Sequence, residues 1–193
     1  MGSFFLMIVL SAAALPAETY KIQPGAGNRV ALEVHKTGLM SGKKHLFEFA
    51  RYHGSVDYDA KAPEKSKVEL VLEAASIVLK DEWLDAKDFN KVSEFTVKDM
   101  LDTARYPQVR FSSTRVARQP DGSFQVRGNL TIRNVAKPVL IAVRVADSAG
   151  TVTIQGSSVV RMKEFGLKPP SALLGAIGTK DEMDVLFQVT LAQ

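Results

Sequence analysis

Residues 97–143 read VKDMLDTARYPQVRFSSTRVARQPDGSFQVRGNLTIRNVAKPVLIAV, and this stretch decides the fold. Tyr106-Pro107 closes a short helix, because the residue before a proline is pushed out of the α region. Val109, Phe111 and Ser113 then alternate with Arg110, Ser112 and Thr114, the period of a strand. Asp121-Gly122 supplies the positive φ that a tight turn needs. Beyond it Phe124, Val126, Gly128, Leu130 and Ile132 form the apolar side of a second strand, and Asn134 to Pro138 turns the chain again. The whole stretch is a strand-turn-strand-turn-strand meander.

The same alternation extends outward in both directions. Asn28 to His35 sets Val30, Leu32 and Val34 against Ala31, Glu33 and His35, and Gly38 to Lys44 follows as a polar turn. From His45 to Tyr58 the faces are mixed: His45, Phe47, Phe49, Arg51 and His53 share one parity, Leu46, Glu48, Ala50, Tyr52, Val56 and Tyr58 the other. Asp59 to Lys67 is a charged loop, and Val68, Leu70, Leu72 and Ala74 mark the third strand. Between Lys80 and Arg105 the spacing of Trp83, Leu84, Phe89, Val92, Phe95, Val97, Met100 and Leu101 lengthens to three and four, which predicts short helices. Strands return at 139–146, 151–162 and 183–191, with Ser148 to Gly150 as a tight connection. Pro169-Pro170, Gly175 and Gly178 exclude a regular helix from Lys163 to Asp181 and leave a long loop there. About eight strands joined as antiparallel hairpins give an all-β barrel or sandwich. A closed eight-stranded barrel has an interior that side chains fill or that holds one small ligand.

Composition narrows the function classes. A chain of 193 residues with 46% apolar residues suits one domain. Phe4 to Leu15 is a nearly unbroken apolar run ending at Pro16-Ala17, shorter than the roughly 20 residues of a membrane span. Residues 1–17 therefore read as a signal peptide, residues 18–193 as the mature domain, and the expected location is a bacterial periplasm. The absence of cysteine excludes disulfides, thiolate catalysis and Cys-based metal sites. A net charge of +4 favours transient contact with a membrane surface, whereas the lack of aromatic-basic interleaving argues against nucleic acid. No Gly-x-Ser-x-Gly elbow occurs, and no enzyme activity is expected.

With these elements placed, the chain resembles the YceI family of exported, lipocalin-like β-barrel proteins. The resemblance rests on Ala75-Ser76-Ile77, on Met100-Leu101-Asp102 before Tyr106-Pro107, and on Val109 to Thr114. It continues through Gly128-Asn129-Leu130-Thr131-Ile132, Lys137-Pro138-Val139, and Arg161 to Gly166. It implies an extended eight-stranded antiparallel barrel with a short helical insertion, whose apolar tunnel binds an isoprenoid quinone or a polyprenyl phosphate without catalysis and without a cofactor. The segment from Lys80 to Met100 is longer than the usual connection, and His35 to His45 suggests a subgroup with its own ligand.

Candidate tunnel residues are Phe47, Phe49, Phe111, Leu130, Ile132, Val160 and Phe187, with Gly128, Ala142 and Gly156 leaving room; the alternative is that these side chains pack on one another and leave no cavity. Lys36, Lys43, Lys44, His45, Arg51 and His53 are cationic donors for a polar head, or an ordinary solvated hairpin. Of these, His45, Arg51 and His53 share parity with Phe47 and Phe49 and are the head-group candidates. Trp83 and Phe89 are expected against the barrel end. Three readings follow: a carrier of an apolar isoprenoid lipid, possible as a homodimer; a metal- or haem-linked redox accessory protein using His35, His45 and His53; or a ligand-free envelope stress protein. No metal site is assigned, because the histidines lack ligand spacing.

Overall fold

The computed structural model describes residues 18–58, 61–148 and 151–191. The signal-peptide segment lies outside the described residues, as do Asp59 and Ala60 of the charged loop and Ala149 and Gly150 of the tight connection. Eleven strand segments form one antiparallel sheet: β1 (Glu18–Ile22), β2 (Arg29–Gly38), β3 (Lys44–Phe49), β4 (Tyr52–Tyr58), β5 (Lys67–Glu73), β6 (Ile77–Leu79), β7 (Gln108–Arg118), β8 (Phe124–Ile132), β9 (Val135–Ser148), β10 (Thr151–Arg161) and β11 (Ile177–Thr190).

These eleven segments are eight staves of a ring. Pairing runs β4-β5-β7-β8-β9-β10-β11-β2-β3, and β3 continues into β4 through Ala50-Arg51, which closes the circuit. In the same way β5 continues into β6 across a 3₁₀ turn at Ala74–Ser76, while β1 and β2 pair with β4 and β3 respectively. Ser76 holds the break together: its Oγ accepts from the Arg51 N–H and donates toward the Glu73 carbonyl.

The break changes which side chains face inward. His45, Phe47 and Phe49 are buried, but after Ala50-Arg51 the buried residues are Tyr52 and Val56. A two-residue link without regular pleat flips the parity, so the alternation that joins Phe49 to Arg51 and His53 in the sequence does not survive in space. A second flip occurs in β7, where the register shifts between Ser113 and Arg115 and carries both Phe111 and Val116 to the inner face.

Three other expectations are corrected. The segment Glu18–Ile22, which carries little apolar alternation, pairs with β4 as an additional strand. The long loop ends at Ile177 rather than Asp181, because β11 contains an irregularity between Thr179 and Met183 that masks its period. Pro138 lies within β9 opposite Asn129; the turn is only Arg133-Asn134, both with positive φ (49° and 62°), the two-residue geometry that suits hairpin twist.

The helical insertion is α1 (Ala86–Phe95), followed by one π turn at Thr96–Met100. Asp85 caps it, its carboxylate accepting from the Asp88 N–H at 2.8 Å. The helix stops at Met100 and Asp102 adopts φ 45°, so termination precedes Tyr106-Pro107. Tyr106 instead sits between the guanidinium groups of Arg105 and Arg133, at 5.3 and 5.4 Å.

Candidate ligand-binding site

The inner faces of the eight staves enclose a cavity of about 1100 Å³. Val30, Leu32 and Val34 enter it from β2, Val68, Leu70 and Leu72 from β5, Val139, Ile141, Val143 and Val145 from β9, and Met183, Val185, Phe187 and Val189 from β11. All seven expected tunnel residues, Phe47, Phe49, Phe111, Leu130, Ile132, Val160 and Phe187, line it. Alternation puts apolar groups on one face of every stave, and closure turns that face inward.

The small residues act differently from expectation. A Cβ on Gly128 would stand 2.4 Å from the Phe111 ring and 2.5 Å from the Ser112 carbonyl oxygen; on Gly156 it would stand 2.3 Å from the Phe187 ring and 2.7 Å from the Ala142 carbonyl oxygen. These glycines give their space to the Phe111 and Phe187 rings of neighbouring staves, which occupy the room a side chain would take. Ala142 is exposed, on the outer face.

One end of the cavity is its mouth. Here the β2–β3 turn, the insertion and the loop from Met162 to Ala176 gather, and Met40, Trp83, Leu84, Val92, Phe95, Met100 and Pro169 all border the opening. No residue of α1 is buried, although Val92 and Phe95 face the cavity. The helix covers the mouth without packing shut over it.

The polar groups converge at this end. His45, the first inward residue of β3, places Nδ1 2.5 Å from Asp81 Oδ2, while Asp81 Oδ1 accepts from the Leu46 N–H at 2.8 Å. Trp83 stacks on His45 with ring centroids 5.4 Å apart and 21° between planes, and Lys43 Nζ lies 5.4 Å from the Trp83 ring centroid. The Trp83 indole N–H donates to the Lys44 carbonyl at 3.2 Å. Lys36 extends the inward parity of Val30, Leu32 and Val34 to the mouth. Burial pulls its ammonium below the ordinary lysine value, and the Asp81 carboxylate partly counters that effect.

Of the head-group candidates, only His45 reaches the cavity. Arg51 and His53 are exposed on the outer wall, Arg51 paired with Glu73 at 2.5 Å, because of the parity flip at Ala50-Arg51. Nor are the three histidines brought together. His35 lies on the outer face of β2 beside Asp184 at 2.8 Å, and Glu33 completes a group there while pairing with Lys44 at 2.7 Å. Asp81 is not among the candidate residues of the sequence, although it continues the buried parity of Ile77 and Leu79. Phe89, expected against the barrel end, is half-buried on α1 and does not border the cavity.

A YceI-like domain model matches residues 20–191, nearly the whole described chain. The chain belongs to the YceI-like family. That family is one of lipid-binding β-barrels, and a binding protein is the coarse reading its membership supports. Among similar sequences, a UPF0312 protein of Azotobacter vinelandii is 29% identical over 126 residues, a span covering 62% of each chain. A UPF0312 protein of Photorhabdus laumondii is 25% identical over 169 residues, covering 83% of this chain and 82% of that one. In crystal structures the same YceI-like fold recurs in Burkholderia cenocepacia BcnA, with TM-score 0.69 and 22% identity over 87% of this chain and 98% of BcnA. It recurs also in a Campylobacter jejuni YCEI protein, with TM-score 0.57 and 19% identity over 76% and 84%.

Proposed function

We propose that this YceI-like protein is a periplasmic carrier that holds one isoprenoid lipid, a quinone or a polyprenyl phosphate, with its chain in the barrel and its polar end at the mouth. The observation that carries this reading is the cavity of about 1100 Å³ lined by apolar side chains of every stave. At about 30 Å³ per liquid-like heavy atom, it admits on the order of 35 non-hydrogen atoms, about seven isoprene units. Burial of each methylene contributes about 0.8 kcal/mol, so such a chain needs shape and apolar walls rather than many polar contacts.

The polar end is assigned to Lys36, His45 and Trp83. Lys36 offers a half-buried cation, and the Asp81 carboxylate holds the His45 ring in one orientation. Native mass spectrometry of protein isolated from its own periplasm tests the proposal. The expected result is a bound lipid mass, reduced in Ile154→Trp, whose indole projects into the lumen; a wild-type protein with no bound lipid and no uptake of a prenyl probe overturns it.

A further inference from the structure

The β2–β3 turn and the loop before β11 meet as a single tip beside the cavity mouth. The Leu39 N–H donates to the Ala176 carbonyl at 3.0 Å, and Ile177 pairs with Gly38. Gly38 has φ 67°, and a Cβ there would stand 2.1 Å from the Ala176 carbonyl oxygen, so only glycine lets the two segments touch. The base of the loop is fixed: Met162 and Phe165 are almost fully buried, and Gly166 ends their 3₁₀ turn with φ 70°.

Beyond that anchored base the side chains reverse the usual preference. Leu39 is 77% exposed, Leu173 67%, and Leu174 is fully exposed. Leu173 and Leu174 also hold left-handed conformations, φ 50° and 56°, which are strained for a non-glycine residue. Backbone bonds from Gly175 to Ala172 and from Ala176 to Leu173 keep them there. Water alone gives no reason to present two strained leucines outward.

Charge identifies the occupant. On the tip itself, residues 37–44 and 162–176 contain Lys43, Lys44, Lys163 and Lys168 against the single acid Glu164, whereas the insertion across the mouth, residues 80–100, carries six acids against four lysines, so the positive face is the tip alone. Lys44 is shared with Glu33 on the adjoining wall. Apolar tips ringed by lysines suit a bilayer interface, where lysines are drawn to an anionic surface. A second copy fits poorly: three leucines on two turns fall far short of the roughly 800 Å² per partner of a stable interface, and the lysines would repel.

We propose that this tip docks on an anionic lipid bilayer, with Leu39, Leu173 and Leu174 between the headgroups and only the tip side of the cavity mouth against the membrane. The inference goes beyond the carrier reading, since docking requires no particular cargo. Co-sedimentation of the full chain with phosphatidylcholine vesicles, with and without an admixture of phosphatidylglycerol to supply a negative surface potential, tests it. Wild type is expected to partition onto the anionic vesicles and to be released by high salt. Leu173→Ser with Leu174→Ser, and separately Lys43→Glu with Lys168→Glu, should each lower partitioning about tenfold or more while circular dichroism stays unchanged. Equal binding by wild type and both variants, or no wild-type preference for anionic vesicles, overturns the proposal. So does tip-dependent self-association in sedimentation velocity without vesicle binding. Native mass spectrometry of the leucine variant separates the two readings: retained cargo with lost docking supports this one, and absent cargo with intact docking removes only the carrier reading.

Discussion

Phe165 and Phe95 are aromatic residues at the same end of the barrel, yet Phe165 is 2% exposed and Phe95 38%. Phe165 sits in the 3₁₀ turn that prolongs β10, packed into the main core with Met162 and Leu167. Phe95 ends a helix whose apolar face looks onto the cavity and buries none of its residues. The difference separates the wall of the barrel, which makes the molecule stable, from its cover, which leaves apolar surface for something else to bury. Elements with few buried contacts are those that open at low cost.

The largest effect should come from the wall. Phe165→Ala is expected to cost about 3–5 kcal/mol in denaturant unfolding, the usual range for deleting a fully buried aromatic side chain. A loss below about 1 kcal/mol would show that the loop base is not part of the wall and would break the comparison. Next comes Gly156→Val, at about 1–3 kcal/mol, because its side chain meets both the Phe187 ring and the immobile Ala142 carbonyl. Adding Phe187→Leu should recover only part of that loss, since the backbone oxygen remains at 2.7 Å from the new Cβ.

How well each region can be read in the sequence follows the same division. From Val109 to Val145 most staves are uninterrupted, alternation holds over long runs, and the inward positions Phe111, Leu130 and Ile132 are legible one by one. On the other side, three staves are broken, and parity cannot be carried across Ala50-Arg51 because no residue type there announces the flip. Arg51 and His53 were misplaced for that reason alone. His45, before the break, keeps the inward parity that alternation assigns it, and the same rule applied to Ile77 and Leu79 reaches its partner Asp81. The leucine tip was hidden in a different way: apolar residues in a loop give no period, and only the touching of two turns 135 residues apart brings Leu39 beside Leu174.

Lys36 tests the border between wall and cover through pH. Its folded value lies below the ordinary lysine value, so between the two the unfolded chain binds more protons, and stability rises as pH climbs from the folded value through about 10.5. Lys36→Met should therefore raise stability at neutral pH, by less than about 1 kcal/mol because the group is partly solvated, and flatten the alkaline rise. It should also weaken uptake of a phosphorylated prenyl chain more than that of the matching hydrocarbon. Equal weakening of both would move the polar end of the ligand away from Lys36.

The smallest expected change in stability belongs to the cover. Phe95→Ser removes an aromatic ring that is already 38% exposed on a helix with no buried residue, so unfolding should shift by no more than about 0.5 kcal/mol. The same ring borders the cavity mouth, and a ligand seated there would cover it. Its loss should then speed release of a bound prenyl probe several-fold in stopped-flow displacement while leaving the unfolding curve in place. If instead stability falls as far as in Phe165→Ala and release is unchanged, the helix is wall and not cover, and the mouth must lie elsewhere on the barrel.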